Sequence, residues 1–101
     1  MKAATLSPHA ERDLLAATEW IAKDNPIAAR AFRETVAMAA RRLANYPESG
    51  VLRPELAGPP YRFAALSGFP FLIVYNSDRK PPLILRVLHG ARDLPELLRD
   101  L

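Results

Sequence analysis

The hydrophobic period of this chain changes once, across residues 47–60, and that change constrains its fold more than any other feature. Before the change, apolar residues recur at the spacing of helix faces. After it, they alternate or form short apolar runs typical of strands. We therefore predict an α+β fold, with a helical hairpin packed on a small, mainly antiparallel sheet. The predicted order is β-α-α-β-β-β, followed by a short C-terminal helical tail.

Two helices with clear start signals are predicted before the proline-rich connector 47–60. Ser7 and Pro8 begin the first, because serine caps a helix N-terminus and proline fits the first helical position. Asn25 and Pro26 repeat that signal after a very short turn, so the two helices should pack antiparallel. The predicted apolar faces contain Ala10, Leu14, Ala17 and Ile21 in the first helix and Ala28, Phe32, Thr35, Ala39, Leu43 and Tyr46 in the second.

Three strands are predicted after the connector. They cover residues 61–66, 69–75 and Leu83–His89, with a tight-turn signal at Ser67-Gly68. The last of them is nearly all apolar and should lie centrally in the sheet. Residues 2–6 are predicted as a further strand, and residues 94–101 as the short tail. The helices would cover one face of the sheet and leave the other exposed or available for binding.

Composition excludes several classes of protein. The 101 residues carry a formal charge of +3, are 50% hydrophobic and include no cysteine. This length predicts one domain over residues 1–101, and no disulfide or thiolate zinc site can form. Neither a phosphate loop nor a dinucleotide fingerprint is present, so we expect no cofactor and no metal. The absence of a long apolar run predicts a cytoplasmic protein that does not contact a membrane.

Several segments, taken in order, resemble the RelE/ParE superfamily of bacterial type II toxins, and resemble ParE-like members more than RelE-like ones. The segments are Ser7-Pro8 with Ala10, Asp13 and Leu14; Ala28 with Phe32; Pro47-Glu48-Ser49-Gly50; Arg53-Pro54-Glu55-Leu56; Tyr61-Arg62; Val74-Tyr75; and Ile84-Leu85-Arg86-Val87-Leu88-His89-Gly90-Ala91-Arg92-Asp93. The resemblance implies a toxin neutralised by a cognate antitoxin. ParE-like members poison DNA gyrase, whereas RelE-like members cut mRNA in the ribosomal A site.

Three functions follow from this resemblance. The first is inhibition of DNA gyrase through binding. The second is ribosome-dependent mRNA cleavage, and the third is a degenerate toxin that retains only antitoxin binding. In each case the C-terminal segment of the antitoxin is expected to wrap the helical hairpin and a sheet edge. Contact with DNA would be indirect, through the antitoxin complex.

A metal-independent nuclease needs a base, an acid and cations that hold the phosphate. Only under that hypothesis are His89, Arg86, Arg62 and Arg92 candidate catalytic residues. Arg86 and His89 are three positions apart and would point to opposite faces of a regular strand, which weighs against a compact site. A stabilising ion pair at Arg86 and a structural hydrogen bond at His89 remain open alternatives. This thin catalytic set leaves enzymatic activity uncertain and favours action by binding.

Four further residues are candidate contacts for the target or the antitoxin. They are Arg53 in the connector, Trp20 on the flank of the first helix, and Arg30 and Arg33 on the outer face of the second. Trp20 could instead pack against the protein, and the two helix arginines could simply form a solvated surface.

Overall fold

A computed structural model of the chain describes residues 2–92 and 94–101 and confirms the predicted α+β order. Asp93, one of the residues that carry the family resemblance, lies outside the described residues. The elements are β1 (Thr5–Leu6), α1 (Pro8–Asp24), α2 (Pro26–Asn45), β2 (Tyr61–Ala65), β3 (Phe71–Asn76), β4 (Leu83–His89) and α3 (Leu94–Leu97). Among the described residues, no helix is both long enough and apolar enough to cross a bilayer.

One residue joins the two long helices. The backbone N–H of Asn25 donates to the Ile21 carbonyl and closes α1, while its side-chain Oδ1 accepts the Ala28 N–H and begins α2. Asn25 is both the C-cap of α1 and the N-cap of α2, so no linker separates the helices. The chain therefore turns back, and α2 packs along α1. The start of α1 is fixed to the sheet in a similar way, since the Ser7 hydroxyl accepts the Ala10 N–H and donates to the Leu85 carbonyl of β4.

The four strands form one sheet in the order β1-β4-β3-β2. β1 is parallel to β4, and the other neighbours are antiparallel. The register between β3 and β4 shifts once: Val74 pairs with Arg86, but Tyr75 pairs with Ile84, which leaves Leu85 as an extra residue. This irregularity allows Ile84 and Val87 to join the same core cluster although they are three positions apart.

Apolar residues bury both faces of the sheet. The larger cluster lies between the helices and the sheet and centres on residues such as Phe32, Leu43 and Ile73. The second cluster lies on the opposite face, where Leu94 and Leu98 of the tail cover sheet residues. Those sheet residues are Phe63, Val74 and Leu88. The tail therefore covers part of this face of the sheet, because the apolar side chains of the tail and of the sheet bury surface against each other.

Several element limits differ from the prediction for local reasons. β1 is shorter than residues 2–6 because the Ala4 N–H donates to the Ala40 carbonyl of α2 instead of joining a ladder. β3 begins at Phe71 rather than residue 69 because the turn, with Gly68 at a φ of +81°, extends through Pro70. The helical part of the tail is only Leu94–Leu97.

The buried face of α2 is offset from the predicted one. Val36 and Ala40 are buried, whereas Thr35 is only half-buried. Tyr46 was predicted on the buried face but is 67% exposed, because it caps the C-terminus of α2 outside the last helical turn. On α1, the packing interpretation of Trp20 is wrong, since 70% of this residue is exposed.

Candidate functional site

Arg86 forms an ion pair with Asp13 between β4 and α1. The Arg86 Nε donates to Asp13 Oδ2 at 2.7 Å and Nη2 donates to Oδ1 at 3.1 Å, a bidentate geometry. The same carboxylate accepts the Val87 backbone N–H at 3.0 Å, and each charged side chain is only 13% exposed. The Arg86 Nη1 also donates to the Leu97 carbonyl. Arg86 thus connects α1, β4 and the tail, and its pairing with Asp13 corresponds to the ion-pair alternative that the sequence left open.

Arg62 holds the connector against the edge of the sheet. Its Nη1 donates to the backbone carbonyls of Glu48 and Gly50. Val51 reinforces this contact by exchanging two backbone hydrogen bonds with Phe63. The guanidinium of Arg62 therefore stabilises the path of the connector alongside β2.

Tyr75 anchors the same connector from inside the core. Its hydroxyl donates to the Pro47 carbonyl at 2.7 Å and accepts the Gly50 N–H at 2.9 Å, and the residue is fully buried. A Cβ at position 50 would lie 2.5 Å from that hydroxyl, so this approach requires glycine. The sequence reasoning missed this contact, although a tyrosine in an apolar strand signals that its hydroxyl needs a buried partner.

His89 ends β4 beside an aromatic side chain. Its ring packs edge-on against Phe71 with centroids 5.2 Å apart, and its Nδ1 accepts the Ala91 N–H at 3.0 Å. The backbone N–H of Arg92 donates to the His89 carbonyl, while the Arg92 residue is exposed. These contacts match the structural interpretation of His89 and shape the loop that follows β4.

The nuclease candidates are distributed over the sheet. Arg62 pairs with Tyr75, whereas His89 pairs with Phe71 two strands away from β2. Spacings of about 4.8 Å between strands and about 3.3 Å per residue place the Cα atoms of Arg62 and His89 roughly 16 Å apart. Arg86 and His89 also extend from opposite faces of the sheet, since Arg86 pairs with Val74 of the second cluster, whereas His89 packs on Phe71, which contacts the larger cluster. These contacts do not gather the candidates into one compact cluster.

Arg53 lies in the connector over the second apolar cluster. Its Nε donates to Glu55 at 3.0 Å, and its guanidinium lies 6.0 Å from the centre of the Phe63 ring. A backbone hydrogen bond, followed by the hydrogen bond from Arg53, lowers the pKa of the Glu55 carboxyl from its usual value. Arg53 is 42% exposed at its side chain, so part of it can contact a partner.

The remaining contact candidates lie on the helical hairpin. Trp20 projects from α1, with the Lys23 ammonium 5.5 Å from its ring centre. Arg30 and Arg33 are exposed on α2, and Arg33 borders a shallow groove beside β1. Trp20, Arg30 and Arg33 are therefore all accessible to a second protein.

A larger groove, which the sequence reasoning missed, crosses the end of the sheet beside the β3–β4 turn. We call it the turn-end furrow, and its main section has a volume of about 730 Å³. That section lies between the end of α2, at Tyr46 and Pro47, and the turn at Ser77 and Lys80. Little in the sequence indicates this groove, because Tyr46, which lines it, has the spacing of a buried helix residue.

Comparisons with known proteins support the family resemblance. The family model described as the ParE toxin of the type II toxin-antitoxin system parDE matches residues 4–94. A solved structure described as the chromosomal ParDE TA system from P. aeruginosa has the same fold, with a TM-score of 0.72 and 22% sequence identity, covering 88% of this chain and 96% of that one. No curated protein matches. Because the family match spans nearly the whole chain, this protein belongs to the ParE toxin family of type II toxin-antitoxin systems.

Proposed function

We propose that this toxin inhibits DNA gyrase by binding to it and is held inactive by a cognate antitoxin. The observation that carries the proposal is that the groups a nuclease would need are dispersed and hydrogen-bonded within the fold. Arg86 is paired with Asp13, Arg62 holds two connector carbonyls, and His89 accepts a loop amide. General acid–base catalysis needs its groups within hydrogen-bond reach of the same reacting atoms. Membership in the ParE family supports the same conclusion.

The test is a supercoiling assay with purified gyrase, together with detection of cleaved DNA–gyrase complexes. We expect the toxin at micromolar concentration to block supercoiling and to increase cleaved complexes. A translated mRNA incubated with the toxin and ribosomes should remain intact. No effect on gyrase combined with cut mRNA would contradict the proposal and favour a ribosome-dependent nuclease.

A double variant separates binding from nuclease chemistry. His89→Ala with Arg92→Ala removes the candidate base and an exposed cation, while the Asp13–Arg86 pair and the Arg62 contacts stay in place. We expect the concentration at which this variant inhibits gyrase to lie within about threefold of the wild-type value, because a cation at the rim of an interface contributes little to affinity. Loss of toxicity in this variant, with its circular dichroism spectrum unchanged and its inhibition of gyrase retained, would indicate that the residues act chemically.

Binding to the antitoxin is proposed to use the exposed hairpin residues Trp20, Arg30 and Arg33, together with Arg53. An exposed aromatic ring flanked by cations suits a partner with apolar anchors and acidic side chains. Trp20→Ala should weaken antitoxin binding by more than about tenfold, since buried tryptophans are frequent interface hot spots. Met38→Ala, at another exposed apolar position on the hairpin, is the control. Equal affinity in both variants would remove Trp20 from the proposed interface.

A further inference from the structure

The turn-end furrow is continuous with two smaller cavities, one on each side of its main section. The first has a volume of about 610 Å³ and shares Pro47, Ser77 and Lys80 with the main section. The second has a volume of about 320 Å³ and shares Glu48, Ser77 and Asp78 with it. Together the three cavities cross the end of the sheet at which β1, β2 and β4 begin and β3 ends. The furrow therefore passes across all four strands.

Charge is distributed unevenly along this furrow. The 610 Å³ cavity, beside the starts of β1 and β4, is lined by Lys2, Arg79 and Lys80 and by no acidic residue, and we call it the basic end. The main section contains the carboxylates of Glu48 and Asp78, which we call the acidic centre, and it shares Lys80 with the basic end. Ion pairs among the described residues involve none of these five side chains. Their charges are therefore available to groups from another molecule.

The walls between these charges are apolar and stiff. Prolines border every part of the furrow, and the exposed Tyr46 ring lines its main section. The bordering prolines are Pro47, Pro59, Pro60, Pro81 and Pro82. Grooves lined by aromatic and other apolar side chains suit extended peptides, which present alternate side chains to the walls. A four-stranded sheet is about 14 Å across, the length of four to five extended residues at about 3.3 Å each.

We propose that the turn-end furrow binds an extended segment of about five residues from a protein partner, with acidic side chains over the basic end and a basic side chain over the acidic centre. A nucleic-acid backbone fits less well, because the carboxylates of Glu48 and Asp78 would lie against its phosphates. This site is separate from the hairpin residues proposed above, and its assignment does not depend on gyrase as the target.

The test uses three synthetic pentapeptides and the full-length toxin labelled for amide NMR. The mixed peptide is acetyl-Asp-Glu-Pro-Leu-Lys-amide. In the all-acidic peptide a glutamate replaces the lysine, and in the all-basic peptide lysines replace every acidic residue. We expect the mixed peptide to shift the amides of residues 46, 48, 49 and 77–80 and to bind at least about threefold more tightly than the all-acidic peptide, as one exposed ion pair would give. The all-basic peptide should bind weakest.

A charge-reversing variant locates the binding. Arg79→Glu with Lys80→Glu should abolish the preference for the mixed peptide over the all-basic one. Arg12→Glu with Lys23→Glu changes the net charge equally but lies on exposed positions of α1, so that preference should remain. If the turn variant folds poorly by circular dichroism, Lys80→Gln alone should still reduce mixed-peptide affinity.

Three results would overturn the proposal. They are equal binding of the mixed and all-acidic peptides, no amide shifts in the furrow up to millimolar peptide, and tighter furrow binding of a DNA duplex than of the mixed peptide. None of these outcomes involves gyrase or the antitoxin. A negative result for peptide binding in the furrow is therefore distinguishable from a negative result for the proposed toxin function.

Discussion

Removing the Asp13 carboxylate should destabilise the fold more than any change to a surface charge. Asp13→Ala leaves Arg86, whose side chain is only 13% exposed in the intact protein, without its bidentate partner, and it leaves the Val87 N–H without its acceptor. Breaking a largely buried ion pair by removing one partner costs about 3–5 kcal/mol. Since small domains are stable by only about 5–15 kcal/mol, this loss is a large part of the total.

Urea unfolding followed by circular dichroism measures the effect. With a denaturant slope of about 1.5 kcal/mol per molar, the unfolding midpoint of Asp13→Ala should fall by about 2–3 M. Asp13→Asn should be milder, because the amide oxygen still accepts the Val87 N–H while the charge is lost. Replacing both partners, as Asp13→Leu with Arg86→Met, should recover part of the loss because neither charge then remains buried.

The exposed pair of Arg53 and Glu55 provides the matched control. Glu55→Ala should leave the urea midpoint nearly unchanged at neutral pH, because exposed ion pairs contribute little. A midpoint for Asp13→Ala equal to that of Glu55→Ala would refute a structural role of the Asp13–Arg86 pair. Arg86 would then be free to act at a functional site.

Three further substitutions test other contacts by thermal or urea unfolding. Tyr75→Phe leaves the buried Gly50 N–H unpaired and should cost about 1–3 kcal/mol, and no change in the unfolding midpoint would contradict the anchoring contact. Gly50→Ala should lower the midpoint as well, because its methyl would clash with the Tyr75 hydroxyl, whereas Gly58→Ala has open space and serves as its control. Ser7→Ala should cost about 1 kcal/mol through the lost helix cap, and a cost near zero would show that water replaces it.

Local signals in the sequence were sufficient to predict the order of elements. The Ser7-Pro8 and Asn25-Pro26 starts are determined by neighbouring backbone groups, and the structure shows both caps. The apolar run of β4 predicted a central strand, which now lies between β1 and β3. The shortness of β1 was not predictable, because it depends on a hydrogen bond from Ala4 to a carbonyl of α2 that is distant in sequence.

The candidate site was less predictable, because the role of a charged side chain depends on its tertiary partner. The sequence left Arg86 open between an ion pair and a functional contact, and only the fold brings Asp13 within reach from 73 positions away. The same holds for the turn-end furrow, which combines the C-terminus of α2 with the β3–β4 turn. Neither segment carries a pattern that identifies the other.

The double cap at Asn25 has a consequence for how related chains can vary in length. Asn25 both donates its N–H to the Ile21 carbonyl and accepts the Ala28 N–H. If a residue were inserted beside it, one residue could no longer make both hydrogen bonds, and one helix end would lose its capping partner. The exposed turn at residues 78–81 carries no such double constraint. Insertions and deletions in relatives should therefore collect at the rim of the furrow and spare the junction of the hairpin, which would let partner preference diverge while the hairpin geometry stays fixed.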